Sequence, residues 1–190
     1  IIGFPNDTYE SIMRDIELLK KRLPLDLAEF FIMTPLPGSR DHQRAYKNKI
    51  PMAADTNLYD TNHTVTKHPR MTGAEVMRAY RDAWKSFYSP EHCRTLLMRR
   101  PGPRRRLLFS SLVWFCSSVF LTGTHPLLGG FIRLKGRRDR RPGYPVEPVI
   151  PYYTARLWEF VVYVVRMPLL ILRLWLINRE PNEGYMDEAI

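Results

Sequence analysis

The chain has 190 residues, a formal net charge of +10 and only two cysteines. This length allows one domain with a core of ordinary size, and two cysteines far apart in the sequence exclude a disulfide framework. The charge is uneven, because residues 1–95 hold 14 basic and 12 acidic residues whereas residues 96–190 hold 15 and 7. The first half is therefore typical of a soluble enzyme surface, and the second half is basic and strongly apolar at once.

The opening segment predicts a strand, a helix and a second strand. Two isoleucines at residues 1–2 lead into turn residues at 3–8, and a helix with apolar residues at three-and-four spacing follows. Pro24 ends this helix, and the apolar residues 25–33 predict a strand that leads into a Pro- and Gly-containing loop, residues 34–39. This order predicts parallel strands with a right-handed crossover, with both loops at the strand ends where ligands bind in such folds.

Residues 50–69 predict a long irregular connection that contains His63 and His68. The two histidines share no helical face and have no cysteine beside them, so the pattern does not predict a metal site. Contact with a substrate is the hypothesis that remains for them.

Two helices are predicted next. Thr72 and Glu75 have the spacing of a capping box, which predicts a helix that runs to Tyr88 with an aromatic stripe in the core. Ser89 begins a second helix that runs to Arg100.

The second half contains two long apolar segments. Residues 107–121 carry no charge, but this run is shorter than the roughly 20 residues that a spanning helix needs. Residues 152–179 are apolar on nearly all sides, and Glu159, Arg166 and Arg173 recur at intervals of seven. These three residues therefore predict one narrow charged stripe along a wide apolar helix.

A helix of this kind must be covered, and Pro168 is expected to kink it. The neighbouring arginine clusters favour an anionic membrane surface over a helical cap packed on protein. A membrane span is disfavoured, because charged residues cost roughly 2.5–3.5 kcal/mol each at mid-bilayer. Nucleic acid is the least favoured partner, because basic clusters beside long apolar helices suit lipid better than phosphate backbones.

Short motifs resemble one family. Residues 2–8, IGFPNDT, resemble the fifth-strand segment of radical S-adenosylmethionine (SAM) enzymes, in which an apolar pair precedes Gly-x-Pro-Gly-(Glu/Asp)-Thr. Residues 34–39, TPLPGS, are similar to the sixth-strand loop of the same barrel and follow at a fitting separation. Residues 59–63, 68–71, 83–88 and 125–130 resemble the carboxyl-terminal region of a bacterial subgroup with a cobalamin-binding domain ahead of the barrel.

The resemblance implies an α/β plus α fold. Residues 1–98 are expected to form a partial (β/α) barrel remnant with its trailing helices, and residues 99–190 a mainly helical, apolar and basic extension. The chain is expected to be the carboxyl-terminal part of a longer protein.

The resemblance also implies a cofactor site and a reaction. Two walls would bind SAM: Ile1, Gly3, Pro5 and Asn6 near the adenine and ribose, and Pro35, Pro37 and Gly38 opposite them, mainly through backbone groups. The implied reaction is reductive cleavage of SAM to a 5′-deoxyadenosyl radical, followed by hydrogen abstraction. Methyl transfer through cobalamin and another radical reaction are both open as the step after it.

Two departures from the family pattern limit what this chain can do. Asn6 stands where the family usually has glycine, and the C-x-x-x-C-x-x-C motif is absent, because Cys93 and Cys116 lie far apart. The four-iron four-sulfur cluster and cobalamin are therefore expected to be bound by parts outside this chain. No catalytic or metal-ligating residue is predicted here, and the fragment alone is expected to be inactive.

The expected partners are a small-molecule or lipid-like substrate, an anionic membrane surface and the remainder of the parent chain, without nucleic acid. The expected location is cytoplasmic, peripheral on the inner face of the membrane. The alternative from another class is a non-enzymatic membrane-associated helical scaffold or binding module.

Overall fold

A computed structural model describes residues 1–55, 58–100, 102–123, 125–126, 137–138, 143 and 145–179. Its helices are α1 (Tyr9–Arg22), α2 (Arg40–Lys47), α3 (Gly73–Phe87), α4 (Pro90–Met98), α5 (Pro103–Ser117) and α6 (Val149–Arg179). A π-helical turn, Ser118–Thr122, continues α5. Extended pairing among these residues is limited to two isolated bridges, parallel between Ile2 and Ile32 and antiparallel between Met52 and Thr66.

The parallel bridge joins the two segments that the sequence predicts as strands. The N–H of Ile2 donates to the Phe31 carbonyl at 2.8 Å, and the N–H of Met33 donates to the Ile2 carbonyl at 2.7 Å. Because this bridge is parallel, the loops that follow Ile2 and Ile32 leave it in the same direction.

The segment at residues 25–33 is less regular than predicted. Ile32 is its one residue in a bridge, and the N–H of Ile32 donates to the Thr61 carbonyl at 2.7 Å instead of to another strand. The long connection therefore occupies the edge where a further barrel strand would pair. The partial barrel stays a prediction.

The described residues fold as two compact units, and the predicted division between residues 98 and 99 stays a prediction. The first unit comprises Ile1–Leu19 and Ala28–Ser86. Its core surrounds Trp84, which is fully buried and contacts Phe30 edge to face, with ring centroids 5.2 Å apart. The second unit comprises Lys20–Leu27 and the described residues from Phe87 onward, apart from position 143.

The predicted capping box at the start of α3 is confirmed. The Glu75 carboxylate accepts from the N–H and the hydroxyl of Thr72 at 2.7 and 2.9 Å, and the Thr72 hydroxyl accepts from the N–H of Glu75 at 3.2 Å. The predicted aromatic stripe of α3 is also buried, since Tyr80, Trp84 and Phe87 all lie in the core.

Helices α4, α5 and α6 pack on one another in the second unit. Leu96 and Leu97 of α4 and Leu112 of α5 are completely buried. Near the end of α6, the Nε of Arg105 donates to Oδ1 of Asn178 at 2.8 Å. Helix α6 is continuous through Pro168, and whether that residue kinks it stays a prediction.

The three residues of the predicted charged stripe of α6 differ in exposure and pairing. Glu159 is half-buried and pairs with Arg156 at 2.7 Å, whereas Arg166 and Arg173 are exposed. Residues seven apart on a helix lie only about 20° apart around its axis, so the three share one edge of α6 as predicted, and Glu159 differs from the other two in its ion pair with Arg156. Of the basic residues at 135–141, only Arg137 and Arg138 lie within the described part of the chain.

Candidate functional site

A cavity of about 320 Å³ lies in the first unit beside the parallel bridge. Four chain segments line it: Gly3 and Pro5 after the first bridge residue; Ile32, Met33 and Pro35 around the second; Asp41, Arg44, Ala45 and Ile50 in and after α2; and residues 64–69 with Val76. Its volume is at the lower end of the range for small-molecule sites.

The first loop is shaped by the carboxylate of Asp7. Oδ2 of Asp7 accepts from the N–H groups of Gly3 and Phe4 at 2.9 and 2.8 Å, and the N–H of Asp7 donates to the Phe4 carbonyl at 2.8 Å. Gly3 has φ +99°, and a Cβ there would lie 3.7 Å from Cγ1 of Val76. Glycine is therefore favoured here by the backbone conformation, whereas an added Cβ would make only an ordinary van der Waals contact.

His68, which lies 64 residues after Phe4 in the sequence, forms a hydrogen bond with this loop. Nδ1 of His68 accepts from the N–H groups of Arg70 and Met71 at 3.1 and 2.9 Å. Because Nδ1 is an acceptor, Nε2 carries the proton and donates to the Phe4 carbonyl at 2.8 Å. Nη1 of Arg70 donates to the Asn6 carbonyl at 3.0 Å, which adds a second tie to the same loop.

The second loop sets the position of α2. The N–H of Ser39 donates to the Leu36 carbonyl at 2.9 Å, and Gly38 has φ +91° in the turn between them. The Ser39 hydroxyl then accepts from the N–H of His42 at 3.1 Å and caps α2. The first turns of α2 thereby bring Asp41 and Arg44 to the cavity.

The structure gathers some of the predicted site residues and leaves others outside. Gly3, Pro5 and Pro35 line the same cavity. Ile1, which is 69% exposed, and the exposed residues Asn6, Pro37 and Gly38 do not line it.

Several lining residues were not predicted from the sequence. Asp41 and Arg44 follow the Ser39 cap, and this cap was the local signal that could have indicated them. Of the two histidines for which the sequence suggests contact with a substrate, His68 lines the cavity, whereas His63 is exposed and pairs with Asp60 at 2.9 Å.

The lining combines apolar and polar groups. Ile32, Met33 and Val76 provide apolar surface for a flat ring. The Asp41 carboxylate can accept from hydroxyl or ammonium groups, and the Arg44 guanidinium can bind a carboxylate. This arrangement suits a ligand with one apolar ring system and several polar substituents.

The described residues offer no metal site, because no group of three or more His, Cys, Asp or Glu side chains comes together among them. Cys93 and Cys116 are both buried in the second unit. A hydrogen bond with Cys93, together with burial, raises the pKa of the Cys116 thiol far above its ordinary value. These thiols therefore do not fit the role of iron–sulfur ligands.

Comparison with known proteins gives one partial relative. Over 88 residues, or 46% of this chain, the sequence is 36% identical to a Pyrococcus horikoshii protein named an uncharacterized methyltransferase. The matched segment spans 19% of that protein's length. No family model matches the chain, and no solved structure matches it.

Proposed function

We propose that this chain is the carboxyl-terminal part of a SAM-dependent methyltransferase of the radical SAM class, and that its first unit forms part of the SAM-binding wall. The observation that carries the proposal is the cavity beside the Ile2–Ile32 bridge, to which Gly3 and Pro35 both contribute. The name of the partial relative supports methyl transfer, and the IGFPNDT and TPLPGS motifs support the radical SAM class.

The lining fits SAM in its chemistry. When bound, SAM would supply a methyl group or, after one-electron reduction, a 5′-deoxyadenosyl radical. Ile32 and Val76 would contact the adenine ring, and Asp41 would accept hydrogen bonds from the ribose hydroxyls or the ammonium group. The missing side chain of Gly3 would leave the ligand room beside the first loop.

The cluster and cobalamin do not fit the described residues, since these bring no cysteine triad or other ligand group together. In this proposal both are held by residues outside this sequence. No step of the reaction is therefore assigned through either group, and the role of this chain is to bind and orient SAM.

The test is an anaerobic assay of the full-length protein with SAM and a chemical reductant. We expect release of 5′-deoxyadenosine or S-adenosylhomocysteine, and a loss of both with Gly3→Val. The matched control is Gly38→Val, because Gly38 also has a positive φ but has nothing within 4 Å of an added Cβ. Absence of C-x-x-x-C-x-x-C from the full-length sequence contradicts the radical SAM class, and failure to bind SAM contradicts the whole proposal.

The second candidate function is a non-enzymatic membrane-associated helical module. One helix among the described residues, α6, is long and apolar enough to cross a membrane by length and composition. A full-length protein that binds membranes but neither binds nor cleaves SAM favours this second candidate.

For the enzyme itself, we propose a location on the cytoplasmic face of the membrane, with a small-molecule or lipid-like substrate. The observation that supports this location is the exposure of large apolar side chains along α6, such as Trp158 and Leu169. Fractionation of cells with an antibody to the full-length protein tests it, and recovery of all the protein in the soluble fraction contradicts it.

A further inference from the structure

Helix α6 has one side that packs on protein. Residues at three-and-four spacing from Tyr152 to Asn178 are half-buried or buried, and Leu174 is only 3% exposed. This inner stripe includes the Arg156–Glu159 pair, and it faces helices α4 and α5 of the same unit. The only acidic side chain of α6, Glu159, is thus paired with Arg156 at the border of this stripe.

The opposite side of α6 is uncharged and uncovered. Two adjacent stripes, one from Tyr153 to Trp175 and one from Ile150 to Leu176, follow the same three-and-four spacing. Every residue in both stripes is exposed, and none of them is charged. We call these two stripes the outer face of α6. An exposed apolar surface that extends along a whole helix of 31 residues is a typical interaction site.

The edge of the outer face is basic. Arg166 and Arg173 are exposed, two turns apart, between the outer face and the inner stripe. Hydrogen bonds at the start of α4 lower the pKa of the Glu91 carboxyl, and the nearby Arg173 lowers it further, whereas Arg166 does not contribute to this shift. The Arg179 guanidinium lies over the Trp175 ring, 4.4 Å from its centroid. Helix α5, which packs beside α6, contains no acidic residue and begins with arginines. An apolar face with a cationic edge is complementary to an anionic lipid surface.

We propose that the outer face of α6 inserts in the plane of an anionic bilayer, with Arg166 and Arg173 directed at the lipid headgroups. Trp158, Trp175 and Tyr153 are exposed on this face and are residue types that favour the membrane interface. The inference uses the second unit alone and does not depend on the chemistry proposed for the first.

The packing of the inner stripe favours this in-plane orientation. A helix that crosses the bilayer would carry α4 and α5 with it into the hydrocarbon layer, together with Arg166 and Arg173. A second copy of the chain is also less suited than an anionic bilayer to cover the outer face. A two-fold contact between two outer faces would bring the arginine edges of both copies close together. The acidic groups near that edge already interact within one copy, because Glu159 pairs with Arg156 and Glu91 of α4 lies near Arg173.

The experiment is co-sedimentation of the full 190-residue chain with vesicles. One set contains phosphatidylcholine with phosphatidylglycerol, and the other contains phosphatidylcholine alone. We expect strong binding to the first set, weaker binding to the second, and a decrease in binding to the first as salt rises. Alkaline carbonate should release the bound chain from the vesicles, because a helix in the interface does not span them.

The outer face is tested with the double variant Trp158→Gln and Leu169→Gln, whose original side chains are 69% and 63% exposed. We expect its affinity for anionic vesicles to fall more than tenfold, because two large apolar groups no longer enter the interface. Tyr46→Gln is the matched control, since Tyr46 is 74% exposed on α2 of the first unit. The control should bind like the wild type, and circular dichroism should show the same helix content in all three proteins.

The basic edge is tested with Arg166→Gln and Arg173→Gln. Each should weaken binding to anionic vesicles about fivefold and leave binding to neutral vesicles unchanged. Arg81→Gln, an exposed arginine of α3, is the control and should have no effect.

Three results would each overturn the inference. The first is absence of binding by the wild type to anionic vesicles at low salt. The second is resistance of the bound chain to carbonate extraction, which indicates a span. The third is a wild-type dimer that Trp158→Gln dissociates without any change in vesicle binding, which indicates that a second copy covers the outer face. None of these results bears on SAM binding, so the two proposals fail separately.

Discussion

Ile2 and Ile32 lie side by side in parallel register, and each is only 3% exposed. This one pair aligns two segments that are separated by α1, and the loops that follow the two residues line the same cavity. The position of the candidate site therefore depends on a single buried bridge and the bonds on either side of it.

Replacing Ile32 with alanine should lower the free energy of unfolding by about 2–5 kcal/mol, because a buried aliphatic side chain is removed beside the bridge. Met33→Ala is the matched control. Met33 lines the cavity and is 36% exposed, so the loss of its side chain should cost less. Urea denaturation followed by circular dichroism measures both. Equal costs for the two variants would show that the bridge is not part of the core.

His68→Phe should loosen the first loop. The ring accepts from two backbone N–H groups and donates to the Phe4 carbonyl, so the variant leaves three backbone groups without this partner. We expect the unfolding free energy to fall by about 1–3 kcal/mol. Hydrogen exchange at Arg70 and Met71 should become faster in the same variant.

The control for this prediction is His63→Phe. The His63 ring is exposed and pairs with Asp60 within its own turn, so its loss should change stability little. If both variants have the same effect, the ties from His68 to the first loop do not contribute to stability.

The capping box of α3 should make stability depend on pH. Hydrogen bonds from the N–H and hydroxyl of Thr72 lower the pKa of Glu75 below its ordinary value of 4.5. Because the folded-state pKa is the lower one, the contribution is complete above about pH 4.5 and is lost as pH falls through the lowered pKa. Glu75→Gln should flatten the stability profile in this acidic range.

Thr72→Ala tests the other half of the box. We expect it to cost about 1 kcal/mol of stability near neutral pH and to reduce the acid dependence that Glu75 provides only in part, because the N–H of residue 72 still donates to the Glu75 carboxylate. Thermal unfolding at several pH values measures both variants. An unchanged acid profile in Glu75→Gln would contradict this account.

The two cysteines should be inert in the folded chain. Cys93 and Cys116 are buried, and the pKa of the Cys116 thiol is raised, so the reactive thiolate is disfavoured at neutral and mildly alkaline pH. Ellman's reagent should therefore label them slowly in native buffer and rapidly in denaturant. Fast labelling of the native chain would contradict the buried arrangement.

Local patterns in the sequence were sufficient to predict where most of the helices lie. The three-and-four spacing, the Thr72–Glu75 cap and the Ser89 start predicted α1, α3 and α4 to within a few residues. Helix α6 was also predictable from local sequence, because a long apolar segment by itself indicates a helix. The parallel relation of residues 2 and 32 was also predictable, since a short crossover helix leaves few other arrangements.

The cavity lining was only partly predictable. Gly3, Pro5 and Pro35 were indicated by their motifs, whereas Asp41, Arg44 and the His68 contact were not. His68 and Phe4 are 64 residues apart, and no spacing rule within either segment specifies that they meet.

The sequence by itself determined where the helices lie, which loops contain the motifs, and that α6 has far more apolar surface than charge. Only the tertiary structure decided which side of α6 is covered, because that depends on the surfaces of α4 and α5 that pack against it. It paired Glu159 with Arg156 at the border of the covered side and left Arg166 and Arg173 exposed. Helical periodicity specifies which residues share a side, and packing between distant segments specifies which side is buried.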